Sequence, residues 1–276
     1  MTTTLITGIP RSGTTFVCAC LNALPNCVAL AEPMQPPRHG DANRAVEEIA
    51  SFAAATRTRI LAQGAAPTKT VNGIMADNFF EEARDDHGLR LDRGQVTDAK
   101  IVKPLAPDFR LFIKHPAIFT ALAESLVARL PLYAVVRHPL AVLASWQSVN
   151  ANFRHGRMPV AEAFAPDLRE RLNSIDSPQS RQIALVQWMF QVYRGLPRER
   201  VLNYESIVAD PGAALRPLSG SPEPIAQTAH TFHLRTRYPS VDFRATAEAL
   251  LAIEADVEPF YSDFAATLRP YLRRSN

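Results

Sequence analysis

The sequence predicts an α/β domain in which short buried strands alternate with helices. Three observations carry that prediction. An apolar run, Thr4-Leu5-Ile6-Thr7, leads through the loop Gly8-Ile9-Pro10-Arg11-Ser12-Gly13-Thr14-Thr15 into a helical run, Phe16 to Leu24, that stops before Pro25. A continuous apolar run, Leu132-Tyr133-Ala134-Val135-Val136, suits a central parallel strand and passes through Arg137-His138-Pro139 into a second helix, Leu140 to Val149. Further strand-like runs at 28–31, 110–114 and 200–204 are separated by helical patterns. A chain of 276 residues, 47% hydrophobic and 21% charged, suits one large domain of this class or two small ones. No internal repeat and no linker divides it, so residues 1–276 read as one domain.

Strand, glycine-containing loop and helix is the context in which backbone N–H groups wrap an anion at a helix N-terminus. Gly8 and Gly13 permit the tight turn, Thr14 and Thr15 add hydroxyls in the first helical turn, and Arg11 adds a fork of charged donors. The loop approaches the nucleotide-binding pattern G-x-x-x-x-G-K-[ST], but Thr14 stands in the lysine position and the basic residue lies three places earlier. That departure counts against a nucleoside triphosphatase and favours another phosphorylated ligand.

Val28-Ala29-Leu30-Ala31 reads as a strand beside the first, ending in Glu32-Pro33, which would set a carboxylate facing the anion loop. Asn43 to Gln63 has helical periodicity, with Gly64 as its C-cap. Residues 65–108 are the least regular, with Asn78 to Arg84 as a short helix; the segment is a candidate acceptor-binding or lid segment. Arg110 to Lys114 is a strand followed by His115-Pro116, with Pro116 in the first turn of a helix that runs to Leu130. At the end of the 132–136 strand stands Arg137, where a phosphate-loop NTPase usually places an Asp for Mg²⁺. Ser145 follows Arg137 by eight residues, two turns into the next helix, so both side chains can reach one phosphate. Ser177-Pro178 starts a long helix in which Trp188 and Tyr193 are either core or pocket wall, and Ala247 to Leu272 is a helix or helix pair broken near Pro259.

Net charge is +3, too little to point to nucleic acid. Of 30 basic residues only Lys69, Lys100, Lys103 and Lys114 are lysine; this Arg bias suggests a GC-rich bacterial genome. No apolar run reaches the roughly 20 residues that span a bilayer. The N-terminus enters the first strand directly, which predicts no secretory leader. Cys18, Cys20 and Cys27 form no metal or disulfide pattern, which with the missing leader predicts a cytoplasmic, reducing setting.

With Pro10-Arg11-Ser12-Gly13-Thr14-Thr15 and Arg137-x-Pro139-x₅-Ser145 both present, the chain resembles the sulfotransferases that use 3′-phosphoadenosine 5′-phosphosulfate. The first motif looks like their 5′-phosphosulfate loop and the second like their 3′-phosphate motif. The segment from Val201 through Tyr204-Glu205 to Pro211 resembles their Tyr-Glu-x-Leu-Val-x-x-Pro segment. The motif order looks closest to the tyrosylprotein branch and its bacterial relatives. There the carboxylate 21 residues after the loop Arg is the general base, which corresponds to Glu32, and the Lys of Lys-x-Pro stabilises the transferring group, which corresponds to Lys114. The cytosolic branch uses a His near its Lys; His115 and His39 are secondary base candidates here.

The resemblance implies a P-loop-related fold, a mostly parallel sheet flanked by helices and akin to nucleotide kinases. It implies 3′-phosphoadenosine 5′-phosphosulfate as donor, adenosine 3′,5′-bisphosphate as product and no metal. The acceptor would be a hydroxyl on a small molecule, carbohydrate or lipid-like compound, with no nucleic-acid partner. The family's last nucleotide contacts come from a basic C-terminal loop; Arg235 and Arg237 are the candidates, against plain surface arginines. Tyr204 would join the nucleotide-binding set. The rivals are a kinase-like phosphotransferase on the same fold and a catalytically silent nucleotide-binding protein.

Overall fold

The computed structural model describes residues 3–221, 223–225 and 234–272. Its strands are β1 (Thr3–Gly8), β2 (Cys27–Ala31), β3 (Ala65–Thr70), β4 (Phe80–Arg84), β5 (Arg90–Asp92), β6 (Gln95–Lys100), β7 (Arg110–Lys114), β8 (Leu132–Val136) and β9 (Val201–Asn203). Five of them form one sheet in the order β2-β7-β1-β8-β9, every pair parallel. The helices that position the site are α1 (Thr14–Ala23), α2 (Ala42–Gln63), α3 (Pro116–Ala121), α4 (Ala123–Leu126) and α5 (Pro139–Gln147).

Strand alternation distributes side chains to two layers. Leu5, Val28, Leu30, Leu111, Ile113, Ala134 and Val136 pack with α2 to α5, the helix Pro178–Arg194 and the C-terminal helices. Ile6, Ala29, Phe112, Val135 and Leu202 pack on the other face with α1, Phe79 and the 204–219 helices. Burial on both faces explains why the strand sequences are nearly continuous apolar runs. Each buried Leu, Ile, Val or Phe contributes about 1.5–3 kcal/mol.

The strand order runs from β1 to both sides, toward β7 and β2 in one direction and toward β8 and β9 in the other. Connections therefore diverge above the C-terminal end of β1, the place where open parallel sheets take ligands. One expectation needs correction: β2 is not beside β1, because β7 lies between them. Glu32 thus sits one strand further from the loop, with the end of β7 in the gap.

Local chemistry sets the helix ends. Asp41 caps α2 by accepting from the Arg44 N–H at 3.0 Å, and Gly64 closes it in a left-handed conformation. Ser177 caps Pro178–Arg194, and the predicted break at Pro259 falls between Glu254–Val257 and Phe264–Leu272. The helix expected to run to Leu130 divides into α3 and α4. Tyr193 is fully buried, its hydroxyl 2.8 Å from Thr120 Oγ1, so it belongs to the core; Trp188 packs against the same cluster.

Residues 65–108 carry ordered hairpins. β3 pairs antiparallel with β6, and inside that connection β4 pairs with β5. The expected helix over 78–84 is instead β4. Asp85 turns the chain, its Oδ1 accepting from the N–H groups of His87 and Leu89, with Gly88 left-handed at φ 74°. That turn sends Arg90 back along β4, and local turn chemistry overrides helical propensity. The hairpin docks on the segment after α5: the Arg90 N–H donates to Ser148 O at 2.9 Å and the Asn150 N–H to Arg90 O at 3.1 Å. No helix among the described residues is long and apolar enough to cross a membrane.

Candidate active site

Each strand of the parallel sheet delivers a polar or charged residue at its C-terminal end. β1 runs into Pro10–Thr15, β2 into Glu32, β7 ends in Lys114, β8 runs into Arg137, and β9 into Tyr204. Apart from Ser12, these residues line one cavity of about 550 Å³, joined by Lys69, Asn78, Phe79, Phe80 and Arg90 from the 65–108 segment and by Arg237 and Tyr238.

The loop is held rigidly. Gly8 passes so close to β8 that a Cβ would lie 2.4 Å from Val135 O. The Ser12 hydroxyl is fully buried and donates to that same carbonyl at 2.8 Å, so it fastens the loop and does not line the cavity. Trp146 Nε1 donates to Pro10 O at 2.7 Å. Gly13 is left-handed at φ 92°, and a Cβ there would fall 2.3 Å from the Tyr204 ring. α1 starts directly after it with no side chain capping its N-terminus, so its positive end faces the cavity through Thr14 and Thr15.

Arg11 is the hub. Its Nε donates to Ser145 Oγ at 3.1 Å, a nitrogen of its fork donates to Asn78 Oδ1 at 3.1 Å, and its guanidinium lies 4.6 Å from the centre of the Phe80 ring. Arg137 donates to the Arg11 carbonyl at 3.2 Å and lies over the Tyr204 ring at 4.7 Å. Arg11, Arg137 and Ser145 therefore converge, with Ser145 in the second row behind Arg11. Burial, and then the charges of Arg90 and Arg137, pull Arg11 down to about 10, against Tyr238 and Asp92, which raise it. Crowding guanidinium groups is costly unless anions join them, and Glu82, beside Arg90 and Arg237, is one such partner.

At the other end of the cavity Lys114 Nζ donates to Glu32 Oε1 at 2.6 Å, with Lys69 Nζ 3.6 Å from Glu32 Oε2. Lys114 is buried, and Phe79 lies under both ammonium groups at 4.7 and 5.4 Å. Burial alone would raise the Glu32 carboxyl, but Lys114, Lys69 and His115 outweigh it and hold the group at about 2. The two lysines thus reverse the sign that burial alone would give. Glu32 and Arg11 both hold a left-handed backbone, at φ 48° and 72°. Among the described residues the other non-glycine residues in that region are Asn26, Asn72 and Asp263, types that tolerate it, so strain on Glu and Arg is concentrated at this site.

His115 lies behind Lys114 and Glu32, buried and outside the main cavity wall. Burial lowers it to about 4 despite the opposing pull of Glu32, so the ring is neutral near pH 7. Its Nδ1 is buried without a hydrogen-bond partner among the described residues. His39 is on the surface, 3.3 Å from Glu48, and does not line the cavity. Arg237 lines the cavity and pairs with Glu82, whereas Arg235 points to the rings of Tyr271 and Phe243.

Three site residues escaped the sequence reading. Arg90 is 2% exposed, donates to Ser148 Oγ at 2.9 Å and keeps a buried Nε with no hydrogen-bond partner among the described residues. Lys69 bridges Glu32 and Asp92, and Tyr238 interacts with Ser145. The scarcity of lysine in the chain singled out Lys69, but only the hairpin pairing brings it to Glu32. Compared with protein-family models and with curated proteins, the chain matches none.

Proposed function

We propose that the protein transfers a sulfuryl group from 3′-phosphoadenosine 5′-phosphosulfate to an acceptor hydroxyl. One observation carries the reading: a single cavity joins a capless helix N-terminus with Arg11 and Arg137, Arg11 backed by Ser145, at one end to the Lys114–Glu32 pair at the other. The donor's shape matches that division. Its 5′-phosphosulfate suits the loop, Thr14 and Thr15, and its 3′-phosphate suits Arg137 with the crowded guanidinium groups behind it. The Arg90 Nε and the uncapped N-terminus of α1 are features an anion would use.

The acceptor oxygen forms the new bond to sulfur as the sulfur–oxygen bond to the 5′-phosphate breaks. In that step the chain's task is positioning and charge stabilisation. Lys114 neutralises charge growing at the departing phosphate oxygen, and Arg11 holds that phosphate. Glu32 takes the acceptor's proton. While it pairs with Glu32, Lys114 suppresses the carboxylate as a base; an anion that draws Lys114 away lets the carboxyl rise toward its ordinary range. Donor binding thereby prepares the base.

The deciding experiment is calorimetric titration with adenosine 3′,5′-bisphosphate beside ADP and ATP with Mg²⁺. The proposal expects metal-independent binding of the bisphosphate at least tenfold tighter than of either nucleotide. Preference for ATP with Mg²⁺ would replace it with a kinase-like phosphotransferase.

A further inference from the structure

A second cavity, of about 430 Å³, adjoins the first, and Pro10, Glu32, Lys69, Pro116 and Phe153 line both. Its character differs. Where the main cavity is ringed by Arg11, Arg90, Arg137 and Arg237, this one is walled by Met34, Val96, Ala117, Phe153, Met158 and Val160. Its remaining cation, Arg157, is committed to Glu162 through Nε at 3.2 Å and to Asn173 Oδ1 at 2.7 Å. Val96, 47% exposed, is one of the few large apolar side chains left in solvent, and β6 presents it at this wall. Of its other polar lining residues, Gln35 and Asn152 stand at exposed positions and His115 is buried, while Glu32 and Lys69 stand at the seam with the first cavity.

We infer that this cavity seats the acceptor, and that the acceptor is an apolar alcohol or phenol: a hydrocarbon body with a hydroxyl directed at Glu32. The inference rests on the sulfuryl-transfer reading and narrows it. An apolar wall rewards burial of hydrocarbon, whereas a sugar would leave several hydroxyls without hydrogen-bond partners against Met34, Met158 and Val160. An acidic peptide would find Arg157 already neutralised. With the body held there, the hydroxyl meets Glu32 on the side away from Arg137 and Arg90, and Lys114 lies between acceptor and donor. The hydroxyl oxygen bonds to sulfur, its proton goes to the Glu32 carboxylate, and the bisphosphate leaves with the electron pair of the broken sulfur–oxygen bond.

The test uses the full chain saturated with adenosine 3′,5′-bisphosphate, titrated with 2-naphthol, 1-decanol, N-acetylglucosamine and a tyrosine-containing acidic peptide. Sulfated products formed with the sulfate donor are followed by mass spectrometry. The naphthol and the alkanol should bind at least tenfold tighter than the sugar or peptide and be sulfated. Val160→Glu should weaken naphthol binding at least tenfold while bisphosphate affinity stays within twofold, and Val160→Leu should keep both. Bisphosphate binding with preference for the sugar or peptide overturns the acceptor inference and leaves the donor reading intact. Naphthol binding that Val160→Glu weakens, in a protein that binds no bisphosphate, overturns the donor reading and the acceptor role with it.

Discussion

Lys114 Nζ donates to Glu32 Oε1 at 2.6 Å across 82 residues of sequence, joining the ends of two neighbouring parallel strands. The register makes the contact: Ala31 pairs with Lys114, so the next residue after β2 stands beside the lysine. The Glu32 N–H donates to Lys114 O at 2.7 Å, and the left-handed turn at Glu32 folds its carboxylate back over the ammonium. Backbone strain and ion pair are thus parts of one device.

The pair makes stability depend on acid. Glu32 at about 2 lies below its ordinary 4.5, so its contribution is complete above pH 4.5 and is lost as pH falls through about 2. The contribution is at most about 3 kcal/mol. Urea unfolding of Glu32→Gln should show a deficit of that order at pH 7, from the unpaired buried Lys114, that shrinks toward pH 2. Adding Lys114→Met should recover most of it. A deficit constant from pH 7 to pH 2 would show that the pair does not set acid sensitivity.

If the proposed sulfuryl transfer holds, turnover depends on the same carboxylate. Glu32→Gln should lower kcat at least a hundredfold while bisphosphate affinity changes less than threefold. Because free Glu32 sits at about 2 and His115 at about 4, kcat/KM should show no acid limb between pH 6 and 7. A limb near 6.5 that disappears in His115→Gln would transfer the base to histidine.

Arg137 is predicted to read the 3′-phosphate. Arg137→Ala should weaken adenosine 3′,5′-bisphosphate by about a hundredfold and adenosine 5′-monophosphate by less than fivefold, since a charge-assisted bond is worth about 1.5–3 kcal/mol. Equal losses for the two ligands would assign Arg137 to the loop, where its bond to Arg11 O already places it.

Gly13 is constrained twice, by a φ of 92° and by the Tyr204 ring 2.3 Å from where a Cβ would stand. Gly13→Ala should cost about 1–3 kcal/mol and at least tenfold in bisphosphate affinity, by displacing the α1 N-terminus. Tyr204→Ala in the same chain removes the contact but not the backbone cost, so recovery should be partial. Full recovery in thermal unfolding would mean that the conformation at Gly13 carries no cost.

The parallel strands were legible because burial on both faces writes them as continuous apolar runs, and Gly8, Gly13 and Arg11 announced a loop in the strand-to-helix context. Glu32 and Lys114 were named without the strand order that joins them; sequence shows where a strand ends but not which strand inserts beside it. The 65–108 hairpins were illegible for a different reason. β4 is Phe-Glu-Glu-Ala-Arg, a composition that favours helix, and it is a strand because Asp85 and Gly88 turn it and β5 pairs with it. Lys69 reaches the site on β3, which pairs with β6, and Arg90 on β5, which pairs with β4, so no motif spacing marks them.

Arg90 supplies a prediction in which stability and binding move in opposite directions. It is 2% exposed, has an Nε without a hydrogen-bond partner among the described residues, and its charge helps to pull Arg11 down to about 10. Without an anion such a cation is costly, because desolvation is only partly offset by Tyr238, Ser148 and Glu82 at 3.8 Å. With an anion beside Arg11 the same charge becomes attractive. Arg90→Met, which keeps the apolar stem, should therefore unfold at the same temperature as the parent or higher without ligand. It should lose at least tenfold in bisphosphate affinity and most of the rise in Tm that saturating bisphosphate gives the parent. Thermal unfolding with and without adenosine 3′,5′-bisphosphate reads both effects. A variant that is destabilised without ligand yet binds the bisphosphate normally would make Arg90 a strut for the hairpin, fixed by Ser148, with no part in holding the anion.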